Sequence, residues 1–310
     1  MDPSSLTPFD NFSLQRRKNR TAAVIWMPVM NGATFIGLPV LIWVRGVEWA
    51  HAWLFLAFFT ASSMAITMGY HRFFAHATFK SNRFIEFLLL FFGAGAYEES
   101  GLKWACMHRR HHQFTDTDKD PYNIKRGFFY AHMGWFMFYK QSINYDNVKD
   151  LEKSPLVMHQ HRHFQSWALV SGVVLPLGIG LATGSWLSAL LWTVPAKITL
   201  VGHSAFFINS FAHSFGSRPY DRTVSARDNW VGAFLTNGEG YHNFHHAFPQ
   251  DYRNGIRWYH WDPTKWAIWA LSKAGWARDL RRTSPERIRA ARLAVEALDK
   301  TPAETASAAL

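Results

Sequence analysis

The sequence predicts an all-α membrane protein, with about four transmembrane helices capped by a cytosolic helical domain that holds a histidine-rich metal centre. Two observations predict it. Long stretches of the 310-residue chain carry no charge, and eight of the 16 histidines fall in three short segments. These segments are His71-Arg-Phe-Phe-Ala-His76, His108-Arg-Arg-His111-His112 and His242-Asn-Phe-His245-His246.

The spans follow from the charge-free runs. Twenty-four residues separate Arg20 from Arg45 without a charge, and a second such run extends from Ala50 to Tyr70. About 20 apolar residues suffice for a helix to cross a bilayer. The run from Phe164 to Ala196 is too long for one span, and Gly184-Ser185 supplies a turn within it. The expected spans are therefore 21–44, 50–70, 166–183 and 186–212, within a domain of residues 21–280. Lys197 is costly in lipid and is expected to face protein or a polar cavity. Residues 84–96 are too short to span and read as an interfacial or buried helix. Residues 1–20 form an N-terminal segment, and residues 281–310 a basic C-terminal helix and tail. The loop at 45–49 holds one Arg and one Glu and that at 184–185 no charge, whereas the N-terminal, central and C-terminal regions hold almost all Lys and Arg. The positive-inside rule then puts both termini and all three histidine clusters on the cytosolic side of a multi-pass protein.

Composition narrows the partners. The net charge of +11 would ordinarily suggest nucleic acid, but beside such apolar runs it suits anionic lipid instead. One cysteine, Cys106, excludes intrachain disulfides and cysteine-based metal sites. No cleavable signal peptide is expected, because the apolar run after residue 20 is too long for one.

His108, His111 and His112 stand at i, i+3 and i+4, a spacing that stacks side chains on one face of an α-helix, and His242, His245 and His246 repeat it. His71 and His76 are five apart and do not share an α-helical face; they could still converge if the second span frays at the membrane surface. Asn209 and His213 form a further i, i+4 pair near the end of the fourth span. The set exceeds what one zinc takes and suits two metals. Nitrogen ligands without thiolate point to iron, copper or zinc. His51, His132, His159, His161, His163, His203 and His260 stand outside the clusters and read as capped or solvated residues. A metal transporter or sensor is disfavoured, because its ligands would lie within the spans rather than at their ends.

Taken together, the motifs resemble those of the integral-membrane fatty acyl desaturases, in the stearoyl-CoA-type Δ9 branch. The resembling segments are Gly69 through His76, Trp104 through His112, Asp120-Pro121-Tyr122-Asn123, Arg126 through Phe129, Asn209 through His213, Arg218 through Asp221 and Gly238 through His246. The resemblance implies two iron ions. One would be held by His71, His76, His108, His112 and His245, the other by His111, His213, His242 and His246, with Asn209 holding a water. It implies no catalytic side chain beyond this centre. The implied reaction is oxygen-dependent removal of two neighbouring hydrogens from an unactivated methylene pair, leaving a cis double bond, with position 9–10 expected from the branch. A related membrane hydroxylase or other oxygenase is the alternative enzyme.

An alkyl chain has no polar handle, so an apolar tunnel must fix which carbons face the metal. By resemblance, Phe59 and Ser63 would help to close its far end. The clusters contribute no carboxylate to offset the metal charge; Glu239 lies closest in sequence, either orienting an imidazole or acting as a turn residue. No haem, iron–sulfur or nucleotide motif is visible, so electrons must come from a separate donor of ferredoxin, rubredoxin or cytochrome type, and a basic surface suits an acidic carrier. The expected substrate is a long-chain fatty acyl-CoA or an acyl-lipid. Two residue pairs that hold coenzyme A in the animal enzymes are replaced by Cys106-Met107 and Tyr139-Lys140, with only Lys140 kept, so a phospholipid chain is a live alternative. Arg109, Arg110, Lys119, Lys125 and Arg126 are available for either headgroup.

Overall fold

A computed structural model describes residues 24–139 and 143–307, with side chains through residue 298. Lys140 and the expected N-terminal segment 1–20 lie outside the described residues. Among the described residues, four helices are long and apolar enough to cross a membrane: α1 (Val24–Arg45), α2 (Trp49–Ala75), and, further along the chain, Phe164–Leu181 and Trp186–His213. Within the segment between the second and third of these lie a two-residue strand β1 (Lys80–Ser81), α3 (Arg83–Ala94), α4 (Gly101–Phe114), α5 (130–138) and α6 (Pro155–Arg162). The third and fourth long helices are thus α7 and α8. After them come α9 (Trp230–Leu235), α10 (His242–Ala247), α11 (Pro263–Lys273), β2 (Ala277–Arg278) and α12 (Pro285–Ser307). β1 and β2 pair antiparallel, Lys80 opposite Arg278 and Ser81 opposite Ala277, tying the two non-spanning segments together.

The long helices pair through short turns at one end of the bundle. There Arg45 Nη1 donates to Ser185 Oγ at 2.6 Å, and Ser188 Oγ donates to Glu48 at 2.5 Å, joining the α1–α2 turn to the start of α8. The segments that carry the histidines gather at the other end. Side chains start the helices there: Asn82 accepts from Ile85 N, Ser100 from Lys103 N, Asn229 from Val231 N and Gly232 N, and Asp262 from Lys265 N. Each occupies orphan donors of a first turn.

Lys197, in the fourth span, is fully buried and donates to the carbonyls of Gly95 (2.7 Å) and Gly172 (3.0 Å). It faces protein, as its cost in lipid requires. Residues 84–96 fall largely in α3, whose buried face packs on α2. Tyr70 fills the notch above Gly93, where a Cβ would stand 2.4 Å from the Tyr70 ring, and Gln160 Nε2 donates to the Tyr70 hydroxyl at 2.9 Å. Phe74, Leu90, Leu102, Val148 and Val157 complete this core around the end of α2.

One local expectation is corrected. The end of α2 neither stops at residue 70 nor frays: Ala65–Ala75 is a π-helix, and His76 N donates to His71 O at 3.1 Å. A π-helix bonds i→i+5 and widens the turn beyond 3.6 residues, so His71 and His76 come to the same side. Their imidazoles meet edge to face, with centroids 4.9 Å apart.

Candidate metal centre

Four helix ends supply the site. α2 brings His71, with His76 following it; α4 brings His108, His111 and His112; the end of α8 brings His213; and α10 brings His242, His245 and His246. α10 is short, and its surroundings hold it. Asp228 Oδ1 accepts from Phe244 N at 3.0 Å, and Asn243 Oδ1 accepts from the backbone N–H groups of Tyr220 and Asp221. The preceding turn packs so closely on α9 that a Cβ on Gly240 would lie 2.0 Å from Ala233 N. Gly238 sits at φ +102°, a conformation open to glycine and strained for other residues.

All nine imidazoles point Nε2 inward, and they fall into two groups. His71, His76, His108, His112 and His245 form one; His111, His213, His242 and His246 form the other; within each, the potential ligand nitrogens lie within 4.8 Å of one another. In the first group His71–His245, His245–His112, His112–His108 and His108–His76 have Nε2 separations of 2.9, 2.9, 3.1 and 2.8 Å. In the second, His213–His242 and His242–His246 stand at 3.1 and 3.2 Å. His111 and His246, at 3.3 Å, complete this group.

Groups behind the rings decide which nitrogen carries the proton. Glu239 Oε2 lies 2.8 Å from His71 Nδ1, Asp120 Oδ1 lies 2.9 Å from His111 Nδ1, and Ser225 Oγ lies 2.7 Å from His213 Nδ1. Ser225 is in turn held by Asp116, its Oγ 2.5 Å from Oδ1. A carboxylate there draws the proton to Nδ1 and leaves the Nε2 lone pair facing inward. Burial, reinforced by neighbouring imidazoles, pushes His76, His108, His112, His242, His245 and His246 well below the ordinary imidazole range, so their neutral form is favoured. Neutral imidazoles with converging lone pairs repel one another unless a cation sits among them, so the donor set fits a metal centre.

Burial would raise the two carboxylates, but their partners prevail. Arg72 and His71 hold Glu239 below the usual carboxylate range, and His111 with the N–H groups of Tyr122 and Asp116 does the same for Asp120. Arg72 is fully buried. Its Nε and Nη2 donate to Glu239 Oε1, its Nη1 and Nη2 to Asp262, and its Nη1 also to Tyr252 O. Glu239 therefore orients an imidazole and is more than a turn residue. Asp120, outside the clusters, is a second carboxylate behind the rings that sequence reasoning does not single out. Its nine-residue spacing from His111 matches no helical repeat, because the chain turns back after Phe114. Arg72 and Asp262 carried no metal-ligand spacing to flag them.

Other expected residues are distributed differently. Asn209 lines an inner cavity beside the histidines, with His71, Trp104, His108 and Glu239. Ile66 and Thr67 of α2 line it too, whereas Phe59 and Ser63 are not among its lining residues. Phe59 stacks on Phe55 with centroids 5.6 Å apart, and Ser63 is buried one turn beyond Thr67. Arg109 is not available to a headgroup: it donates to Asp150 and to the carbonyls of Phe74, Ala75 and Asn147, clamping the end of α2. Cys106 is buried, with Sγ on Asn144 O. Of the histidines outside the clusters, His132 and His203 are hydrogen-bonded to each other at 2.9 Å, and His51 faces Glu48.

Four spanning helices with nine inward imidazoles at one end define a histidine-rich integral-membrane metalloprotein. The family model described as fatty acid desaturase matches residues 48–282, and the chain belongs to that family. A probable acyl-CoA desaturase of Schizosaccharomyces pombe is 43% identical over 228 residues, covering 73% of this chain and 48% of that protein. Acyl-CoA desaturase 1 of Saccharomyces cerevisiae is 36% identical over 269 residues, covering 84% and 52%. A stearoyl-CoA desaturase of Sus scrofa is 32% identical over 239 residues, covering 75% and 66%. The chain thus spans about half the length of the two yeast proteins it matches.

Proposed function

We propose that this protein is an oxygen-dependent fatty acyl desaturase that inserts a cis double bond between carbons 9 and 10 of a long saturated chain. One observation carries the reading: His71 and His108, from the first group of inward Nε2 atoms, border a cavity walled by Ile66, Trp104, Trp135 and Phe206, in a chain of the desaturase family. Two iron ions fit the donor set, one in each group, with the ligands grouped as above and a water held by Asn209. When bound, the iron supplies the oxidising chemistry, with dioxygen as acceptor and electrons from a separate ferredoxin, rubredoxin or cytochrome-type donor.

The chain's own residues bind, orient and exclude. Glu239 and Asp120 fix the tautomers of His71 and His111. The Trp104 ring stacks on His108 with centroids 4.9 Å apart and presents an apolar wall toward the substrate. A second cavity, bordered by Trp26, Met27 and Met30 of α1 and Ile198 of α8, shares Glu98, Trp135 and Phe206 with the inner one. The inner one gives an alkyl chain an apolar bed beside the histidines, and the outer one, which also borders Asn31, Thr199 and His203, adjoins it. The names of the relatives support an acyl-CoA as carrier, and the resemblance gives Lys140 a part in binding its headgroup. Ser63 and Phe59 lie beyond Thr67 and bound the methyl end. The positive-inside pattern supports a cytosolic position for the histidine end and both termini.

The test is expression in a host that lacks its own desaturase, followed by lipid analysis with the double bond mapped. A new cis-9 monoene in the host lipids is the expected result. A hydroxylated chain, or no new product from metal-loaded protein, overturns it. Purified protein offered acyl-CoA and phospholipid separately distinguishes the carriers.

A further inference from the structure

The two cavities meet at Glu98, and only one of its carboxyl oxygens has a hydrogen-bond partner among the described residues. Its Oε2 accepts from Trp104 Nε1 at 3.3 Å. Its Oε1 is buried with no hydrogen-bond partner among the described residues, although unpaired buried polar atoms are rare and costly. Glu98 lines the inner cavity together with His71 and His108, and the outer cavity together with Asn31, Tyr97 and His203. The backbone on either side is strained: Tyr97 has φ +62° and Glu99 has φ +76°, both left-handed and neither glycine. Such strain persists only where the surroundings over-determine it, and it gathers at functional positions. A packing role does not require an acid at the neck of an apolar channel, and burial without a cationic partner makes the ionised form expensive.

We propose that Glu98 is the proton-relay residue of the reaction, passing protons from the outer cavity to the histidine centre. This rests on the desaturase reading. In that reaction a methylene pair, one dioxygen, two electrons and two protons become one carbon–carbon double bond and two waters. The chain gives up two hydrogens, the donor supplies the electrons, and both protons must come from solvent into a closed apolar space. The Glu98 O–H bond breaks as its proton moves toward oxygen being reduced at the centre. The carboxylate then takes a proton from water in the outer cavity, and the cycle repeats for the second proton. Burial lifts this carboxyl to about 8, which keeps it protonated at neutral pH and able to exchange there. Trp104 holds the acid in place through its N–H while its own ring lies on His108.

The test uses the full-length, metal-loaded protein in a lipid nanodisc, with acyl-CoA, dioxygen and a reduced electron donor, counting double bonds formed. Glu98→Gln keeps the volume and an acceptor for Trp104 but has no acid proton. We expect kcat to fall on the order of a hundredfold, with KM and bound metal unchanged. Glu98→Asp should keep part of the rate. Glu98→Ala should recover part of its lost rate when formate or acetate is added, a response that a merely structural residue would not give. The relay is overturned if Glu98→Gln turns over within twofold of wild type, if its loss tracks lost metal or raised KM, or if small acids leave Glu98→Ala unchanged. Wild-type protein that forms no double bond under these conditions fails the desaturase reading instead.

Discussion

Glu239 bridges two consecutive residues of α2: Oε2 lies 2.8 Å from His71 Nδ1, and Oε1 takes the Arg72 Nη2 donor at 2.8 Å. One carboxylate thus sets the tautomer of a candidate ligand and balances a fully buried guanidinium. Asp262 holds the far side of Arg72 and also accepts from the N–H groups of Asn254, Gly255 and Lys265. The first histidine cluster is thereby tied to the C-terminal segment almost two hundred residues later.

Glu239→Gln removes that charge while keeping the shape. Metal retention should fall about tenfold to a hundredfold, because His71 loses the group that orients it. Dialysis against graded chelator with metal analysis checks this, and retention equal to wild type would assign Glu239 to the Arg72 pair alone.

His245→Ala and His111→Ala should each abolish double-bond formation while the protein still inserts in the membrane, since spanning depends on apolar length rather than on metal. His245 Nε2 stands 2.9 Å from both His71 and His112, so its loss opens the first group. Metal content per chain, measured with membrane insertion, should drop from about two toward one. Half or more of the activity surviving in either variant would remove that histidine from the ligand set.

Gly240→Ala should destabilise the protein by about 3 kcal/mol. Its new methyl would meet Ala233 N at 2.0 Å, and backbone cannot step aside as a side-chain tip can. Thermal unfolding and metal retention should fall together, because α10 is displaced. A variant as stable as wild type would mean that the turn before α10 is looser than described.

The Glu98 carboxyl predicts a pH signature in stability. Burial lifts it from 4.5 to about 8, so the folded protein keeps a proton that the unfolded chain releases above 4.5. Stability is therefore lost as pH rises from the unfolded value, and the loss is complete above the folded one. Glu98→Gln should gain in Tm relative to wild type between pH 5 and about 8.5. A difference that does not vary with pH would mean that the carboxyl is solvated.

Ser63→Trp should cut turnover of chains of about 18 carbons far more than of about 14, because a filled apolar space tolerates no added volume without strain. Competition between the two acyl-CoA lengths reads this directly. An equal fall at normal expression would place Ser63 outside the chain's path.

What could be read from sequence divides along physical lines. The spans were visible because lipid forbids charge over a fixed length, and α4 and α10 because three- and four-residue spacing stacks imidazoles on one helical face. The end of α2 is not legible, since His71 and Arg72 look like surface residues until the internal partners of Arg72 are known. The His71–His76 pair is hidden because five-residue spacing fits no α-helical face, and nothing in the sequence announces a π-helix. Asp120, Asp262 and Ser225 act through contacts across long loops, which periodicity does not report. Glu98 showed no motif at all; only the meeting of two cavities singles it out.

Lys197 has a consequence for how the chain is made. Its two acceptors, Gly95 and Gly172, lie earlier in the sequence, on α3's C-terminal turn and within α7. During synthesis α8 therefore reaches the bilayer after both carbonyls are in place, but it carries an amine that costs about 3 kcal/mol at mid-membrane if it arrives alone. α7 and α8 should leave the insertion machinery as a hairpin rather than one at a time. Chains whose α7 is exchanged for a generic apolar span should then mislay α8, even though both segments still satisfy the length rule.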